Sequence, residues 1–79
     1  MSDVLGDLEE IIQERLSAAP TDSYVASLHA AGLNKILEKV GEESFEVVLA
    51  ARDCETSENK TTVIAETADL LFHTMVMLA

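Results

Sequence analysis

The last segment of the chain, residues 63–79, restricts the fold more than any other part of the sequence. Its seventeen residues include no Lys or Arg and are apolar on nearly every side of a helix. Glu66 and Asp69 interrupt the apolar tract, and the stretch from Leu70 to Ala79 is too short to cross a bilayer, which takes about 20 apolar residues. We therefore predict a helix that lies inside the structure.

The rest of the chain is also helical in its spacing of apolar residues. An amphipathic first helix is predicted over residues 3–17, and a short helix over 24–31 is interrupted at Gly32, which marks a bend. A long helix comes next over 33–53, and the polar residues 55–62 form a loop. Two antiparallel helices with a third packed alongside make an all-α helical bundle, which can pair with a copy of itself.

The long helix has more apolar surface than one neighbour needs. One stripe within roughly 60° of a single line comprises Leu33, Ile36, Leu37, Val40, Ser44, Val47, Val48 and Ala51. Phe45 and Leu49 lie outside it, which indicates a second surface for another helix or a second subunit. The 79 residues allow one domain, residues 1–79, whose single core is marginal at this size. We expect a homodimer formed through the long helices.

The charge balance excludes some partners. Five Lys or Arg stand against fifteen Asp or Glu, a formal charge of −10, so the protein's field repels nucleic acid and anionic membrane surfaces. A polyanionic substrate therefore needs a cation to bridge it. Cys54 is the only cysteine, so no intrachain disulfide can form, and the acidic N-terminus does not resemble a signal peptide. We expect a cytoplasmic protein.

Acidic residues on the two longest helices are spaced to meet. Glu66 and Asp69 share one edge of the last helix, within about 60° of each other. Glu43 and Glu46, with Glu42 beside them, lie on the polar side of the long helix and can face that edge if the helices are antiparallel. Four carboxylates around one point suit Mg²⁺, which takes one or two carboxylates and completes its octahedron with waters and phosphate oxygens. The spacing predicts a site for Mg²⁺ and a phosphorylated substrate.

Simpler interpretations apply to some of these residues. Helix surfaces are commonly charged, so Glu42 and its neighbours could form only a solvated acidic face. Lys35 and Lys39 could form i,i+4 ion pairs on that face or contact phosphates. His73 is more typical of a satisfied core histidine than of a ligand, and Cys54 of a bystander at a helix end.

Two runs of sequence resemble one enzyme family. Residues 32–46 read GLNKILEKVGEESFE and residues 66–73 read ETADLLFH, and with the earlier 23–25, SYV, they closely resemble phosphoribosyl-ATP pyrophosphohydrolase. This family is similar to the all-helical MazG-like nucleotide pyrophosphohydrolases, whose shared pattern is E-E-x-x-E followed by E-x-x-D. Family members commonly continue beyond the last helix, where this sequence ends at Ala79.

The resemblance implies hydrolysis of the α–β phosphate bond of phosphoribosyl-ATP, which yields phosphoribosyl-AMP and pyrophosphate. This is the second step of histidine biosynthesis, carried out by a Mg²⁺-dependent homodimer. Carried over by position, the metal-binding set is Glu43, Glu46, Glu66 and Asp69. Glu43 and Glu46 are then the catalytic residues, and the substrate-binding residues are Lys35, Lys39 and Glu42, the last also a possible ligand or base.

Two other functions are open on the sequence alone. A general MazG-like enzyme would hydrolyse ordinary or damaged nucleoside triphosphates with the same acidic pattern. A non-catalytic acidic helical module would only dimerise or dock, and its carboxylates would be a solvated surface.

Overall fold

Four α-helices make up the part of the chain that the structure describes. The computed structural model describes residues 3–56 and 59–79, and its helices are α1 (Val4–Leu16), α2 (Tyr24–Ala31), α3 (Leu33–Cys54) and α4 (Thr61–Leu78). No strand occurs within these residues. The predicted all-α class is confirmed. Residues 57–58 of the predicted loop lie outside the described residues.

Short polar side chains begin the first two helices. The Asp3 carboxylate accepts a hydrogen bond from the Gly6 N–H at 2.9 Å, and the Ser23 hydroxyl accepts one from the Ala26 N–H at 3.2 Å. Gly32 separates α2 from α3 and has a φ of 102°, a left-handed conformation that favours glycine. The bend predicted at Gly32 is therefore confirmed, and it lets α3 leave in a new direction.

The main helix–helix contact joins α3 to α4 as an antiparallel hairpin. Glu43 approaches His73, and toward the opposite end Ile36 meets Val76 in the core, so the residue numbers run in opposite directions along the contact. α4 begins at Thr61, two residues before the predicted start of the last helix.

The apolar core lies where α1 and α2 cover one end of the hairpin. Its buried members are Ile12, Val25, Leu28, Ile36 and Val76, with Leu8, Leu16, Phe72, Met75 and Met77 packed against them. The core uses residues from all four helices, so α1 and α2 stabilise the hairpin on which the carboxylates lie.

The predicted burial of the long helix differs from the observed one. α3 buries Ile36, Glu43 and Ala50, which are seven residues apart, whereas Leu37 and Val48 of the predicted stripe are exposed. The reason is that α4 packs against one edge of the stripe and leaves the other edge open to solvent in a single chain.

α4 is also less covered than predicted. It buries His73 and Val76, but Ile64, Leu71 and Leu78 are exposed on its other side. The prediction that this helix lies inside the structure is wrong for one chain, because only α3 packs closely along it.

None of the helices in the described residues is both long enough and apolar enough to cross a membrane.

Adjacent isoleucines of α1 provide a test of the core. Ile12 is 1% exposed and Ile11 is 48% exposed. We expect Ile12→Val to lower the free energy of unfolding by about 0.5–1.5 kcal/mol, since it deletes a buried methylene, and Ile11→Val to leave it nearly unchanged. Chemical denaturation of both variants measures this, and equal effects would contradict the placement of α1 on the hairpin.

Candidate functional site

Three glutamates converge between the long helices. Glu43 and Glu46 lie in the middle of α3, and Glu66 lies in the second turn of α4. One carboxylate oxygen from each lies within 4.8 Å of the others. These three residues form the carboxylate cluster. Their predicted convergence follows from the antiparallel hairpin, while their role as metal ligands stays a prediction.

Glu43 is the buried member of the cluster. It is only 9% exposed and occupies the α3 seam between Ile36 and Ala50, where an apolar residue would be expected. The prediction that Glu43 lies on the polar side of the helix is wrong. Burial of this carboxylate is costly unless other groups compensate it, which indicates a specific role.

The environment disfavours the charged form of Glu43. Burial of the carboxyl is the main cause that raises the pKa of Glu43 above its ordinary value of 4.5, and the negative charge of Asp69 adds to it. Glu46 acts in the same direction through its charge and its hydrogen bond, whereas the proximity of His73 acts in the opposite direction.

Glu66 carries an unsatisfied oxygen. Its Oε2 is buried and has no hydrogen-bond partner among the described residues. The hydrogen bond with Glu46 is the main cause that raises the pKa of Glu66, followed by burial and then by the charges of the neighbouring acids. A buried acceptor without a donor is unusual in folded proteins, and it marks a place where a cation or another donor fits.

Asp69 lies beside the cluster but outside it. It is exposed, and its carboxylate is not among the oxygens that lie within 4.8 Å of one another. Its charge nevertheless raises the pKa of both Glu43 and Glu66, so it faces the same region. The structure thus brings three of the four predicted metal ligands together and places the fourth at their edge.

The predicted substrate-binding residues lie on the exposed side of α3. Lys35 pairs with Glu38 at 3.5 Å and Lys39 with Glu42 at 3.8 Å. Both pairs have i,i+3 spacing, unlike the i,i+4 pairs considered from the sequence. Glu42 does not join the carboxylate cluster. Exposed pairs of this kind contribute little to stability, so both lysines can exchange their partners for phosphate at low cost.

Both ring nitrogens of His73 have partners. Its Nδ1 lies 2.8 Å from the Asp69 carbonyl oxygen and 3.3 Å from Glu43 Oε1, and its Nε2 lies 2.7 Å from the Tyr24 hydroxyl. The interpretation of His73 as a satisfied core histidine is therefore confirmed. The sequence analysis missed Tyr24, because no local spacing connects α2 to α4. Cys54 is half-buried at the end of α3, with Sγ 3.5 Å from the Asn59 carbonyl oxygen.

The cluster offers only hard oxygen donors. None of the described Lys or Arg side chains forms an ion pair with Glu43, Glu46 or Glu66. Three unneutralised carboxylates and one buried oxygen without a donor are the features that a divalent metal ion of the Mg²⁺ type satisfies.

A family model described as phosphoribosyl-ATP pyrophosphohydrolase matches residues 5–79. The chain belongs to the phosphoribosyl-ATP pyrophosphohydrolase family. The resemblance seen in the two sequence runs is therefore confirmed, as is the class of enzyme, a hydrolase of histidine biosynthesis. Members of this family are enzymes, which argues against a non-catalytic acidic module. Pyrophosphohydrolases are commonly metal-dependent, and the cluster is the part of this chain that fits such a requirement.

The raised pKa values predict how the metal-free protein responds to pH. A carboxyl whose pKa is raised by folding stabilises the fold below its unfolded pKa, near 4.5, and loses that contribution as pH rises through the folded value. We expect stability in EDTA to fall as pH rises from that region toward neutrality. Glu66→Gln should be more stable than the wild type at pH 7 to 8 and should show a flatter dependence. Thermal unfolding across this pH range measures both.

Glu10→Gln is the matched control, since Glu10 is an exposed glutamate of α1 away from the cluster. It removes the same charge from the whole protein and should keep the slope of the wild type. Identical curves for the two variants would mean that overall charge, and not the cluster, sets the response.

Proposed function

We propose that the enzyme hydrolyses phosphoribosyl-ATP to phosphoribosyl-AMP and pyrophosphate with Mg²⁺ bound at the carboxylate cluster. The convergence of the carboxylate oxygens of Glu43, Glu46 and Glu66 is the observation on which the proposal depends. The unsatisfied Oε2 of Glu66 and the raised pKa values of Glu43 and Glu66 support it, because each is a cost that a bound cation removes. Asp69 completes the proposed metal-binding set from the edge of the cluster.

The overall charge of the protein makes a cation necessary for this substrate. The formal charge is −10, and a polyphosphate approaching three carboxylates would be repelled. When bound, Mg²⁺ neutralises the cluster, polarises phosphate oxygens and makes a water easier to deprotonate.

The side chains of the cluster hold and move the proton of the attacking water. Glu43 or Glu46 accepts that proton as the water oxygen forms a bond to phosphorus, and the bridging bond between the α and β phosphates breaks to release pyrophosphate. Glu46 is exposed, with one carboxylate oxygen within 4.8 Å of the other two glutamates, so it can reach a water on the solvent side. Glu43 is buried, so it is the more fixed of the two.

Lys35, Lys39 and Glu42 are the proposed substrate contacts outside the cluster. Lys39 precedes Glu43 by one helical turn and is half-buried. Its ammonium group can reach a phosphate placed over the cluster when it leaves Glu42. Glu42 then remains exposed beside the substrate, where its carboxylate can accept hydrogen bonds.

Release of pyrophosphate tests the proposed activity. With Mg²⁺ we expect the wild type to hydrolyse phosphoribosyl-ATP faster than free nucleoside triphosphates, since the family match favours this substrate. We expect Glu66→Gln to lower kcat/KM by about 100-fold or more, since a metal ligand supplies several kcal/mol, whereas Glu10→Gln should not change it.

The melting temperature with and without Mg²⁺ shows whether a variant such as Glu66→Gln has lost metal binding or only substrate binding. Mg²⁺ at 100 times its Kd should stabilise the wild type by roughly 2.7 kcal/mol and Glu66→Gln by much less. Faster turnover of ordinary triphosphates would instead favour the general MazG-like enzyme. No pyrophosphate from any of these nucleotides would contradict the proposal.

We also propose that residues 1–79 form one domain that acts in the cytoplasm as a homodimer built through the long helices. The exposed apolar residues of α3 support this, because covering them with a second subunit would remove apolar surface from water. They are Leu37, Phe45, Val48 and Leu49, on the side of α3 away from α4. Gly41 and Ser44 lie among them and would allow a second helix to approach closely.

Two residues of equal exposure test the dimer. Phe45 on α3 is 64% exposed and Val4 on α1 is 65% exposed. We expect Phe45→Glu to convert the dimer to a monomer, because it adds charge to the proposed interface, and Val4→Glu to leave the dimer intact. Sedimentation equilibrium measures the state. A monomeric wild type, or a dimeric Phe45→Glu variant, would rule out this interface.

A further inference from the structure

Tyr24, His73 and Glu43 form a chain of polar contacts that joins three helices. The Tyr24 hydroxyl on α2 lies 2.7 Å from His73 Nε2 on α4, and His73 Nδ1 lies 3.3 Å from Glu43 Oε1 on α3. His73 is 6% exposed and Glu43 is 9% exposed, so water competes little for the contact between them, whereas Tyr24 is 49% exposed. The proposed chemistry leaves Tyr24 and His73 without a role.

The partners of the ring determine which nitrogen of His73 carries the proton. Nδ1 faces the Asp69 carbonyl oxygen at 2.8 Å and the Glu43 carboxylate, and both are acceptors. Nδ1 therefore donates its N–H to the Asp69 carbonyl oxygen, and Glu43 Oε1 lies against the same nitrogen at 3.3 Å. Nε2 then accepts the hydrogen bond that the Tyr24 hydroxyl donates. The Tyr24 hydroxyl thus acts together with the Asp69 carbonyl oxygen to keep the proton on Nδ1.

Aromatic packing fixes the orientation of the His73 ring. Phe72 stacks on Tyr24 with ring centroids 6.1 Å apart, and His73 meets Tyr24 and Phe72 edge-on at 5.7 and 5.2 Å. Rotation of the ring would break these contacts together with both hydrogen bonds. The ring edge that faces Glu43 is therefore held rigidly.

We propose that His73 and Tyr24 are positioning residues that orient the Glu43 carboxylate for the cation. This inference rests on the proposed function, because it assumes a metal at the carboxylate cluster. Glu43 is repelled by Glu46 and Asp69, and a flexible side chain would turn away from them. The polar edge of the His73 ring, with Nδ1 3.3 Å from Glu43 Oε1, gives that oxygen a fixed partner, so the carboxylate keeps one orientation before the metal arrives. Removing such a partner of a metal ligand typically costs 10- to 100-fold in affinity.

Two substitutions of His73 separate the donor from the ring. The amide nitrogen of Asn takes the place of Nδ1 and that of Gln takes the place of Nε2. His73→Asn can therefore still donate toward Asp69 and Glu43, whereas His73→Gln can contact only Tyr24. We expect His73→Gln to weaken Mg²⁺ binding by about 10-fold or more and His73→Asn to stay close to the wild type. Calorimetric titration of the substrate-free protein with Mg²⁺ measures the affinities.

Thr74→Val is the control for a purely structural effect. The Thr74 hydroxyl donates to the Leu70 carbonyl oxygen at 2.7 Å, an i,i−4 bond on the same helix like that of His73, and it does not reach the cluster. This variant should bind Mg²⁺ as the wild type does. Tyr24→Phe keeps the stacked ring and loses the hydroxyl, so it should weaken binding by less than His73→Gln.

Tyr24 also provides a spectroscopic signal. It is the only tyrosine, and the chain has no tryptophan, so all fluorescence of this type comes from the ring bonded to His73. We expect Mg²⁺ to change this emission in the wild type. A metal bound to the Glu43 carboxylate alters its contact with the His73 ring and, through the ring, the hydrogen bond of the Tyr24 hydroxyl. The change should be absent in His73→Asn, which binds Mg²⁺ but lacks the acceptor for the Tyr24 hydroxyl.

The outcomes distinguish this inference from the proposed function. Equal Mg²⁺ affinity in the wild type, Tyr24→Phe and His73→Gln would overturn the positioning role and leave the metal site standing. Equal losses in His73→Gln and Thr74→Val would overturn it too, because the effect would then be structural. No Mg²⁺ binding by the wild type would overturn both.

Discussion

Three carboxylates that repel one another are held together where α3 and α4 pack, and the rest of the structure must stabilise the hairpin against this repulsion. Glu43, Glu46 and Glu66 would separate if the hairpin could open; burial first and neighbouring charge second raise the pKa of Glu43, and the hydrogen bond with Glu46 raises that of Glu66. The apolar contacts that oppose this opening lie at one end, where α1 and α2 cover Ile36 and Val76. The apolar core and the carboxylate cluster thus occupy neighbouring stretches of the same two helices.

Much of this arrangement could be predicted from the order and spacing of residues. Apolar periodicity locates four helices, and the glycine at position 32 marks the bend because only glycine adopts its backbone angle without strain. A short loop between two long helices makes them antiparallel neighbours. Once they are antiparallel, an acidic pair in the middle of α3 must lie near an acidic residue early in α4. The convergence of the cluster therefore follows from topology.

The side of α3 that carries Glu43 could not be predicted in this way. The helix has apolar residues on two faces. A single stripe fitted to all of them is centred between the two faces, near Leu37 and Val48, which are exposed. The actual seam contains Ile36 and Ala50 with an acid at its centre, so periodicity counts Glu43 as evidence against burial. The burial of α4 was wrongly predicted for a related reason. The sequence of a helix that is apolar on every side does not indicate which side the rest of the chain covers.

The contact between Tyr24 and His73 shows what spacing rules omit at such a site. A carboxylate pattern specifies which groups meet, but not what keeps them oriented while they repel one another. Here the group proposed to orient Glu43 comes from α4, and a hydroxyl from α2 bonds to the other nitrogen of its ring, so the shortest helix acts on the cluster without supplying a ligand. The Ser23 cap that begins α2 and the left-handed Gly32 that ends it fix the position of Tyr24. The ends of α2 therefore influence the position of Tyr24, and through Tyr24 and His73 the orientation of Glu43, on which the proposed metal site depends.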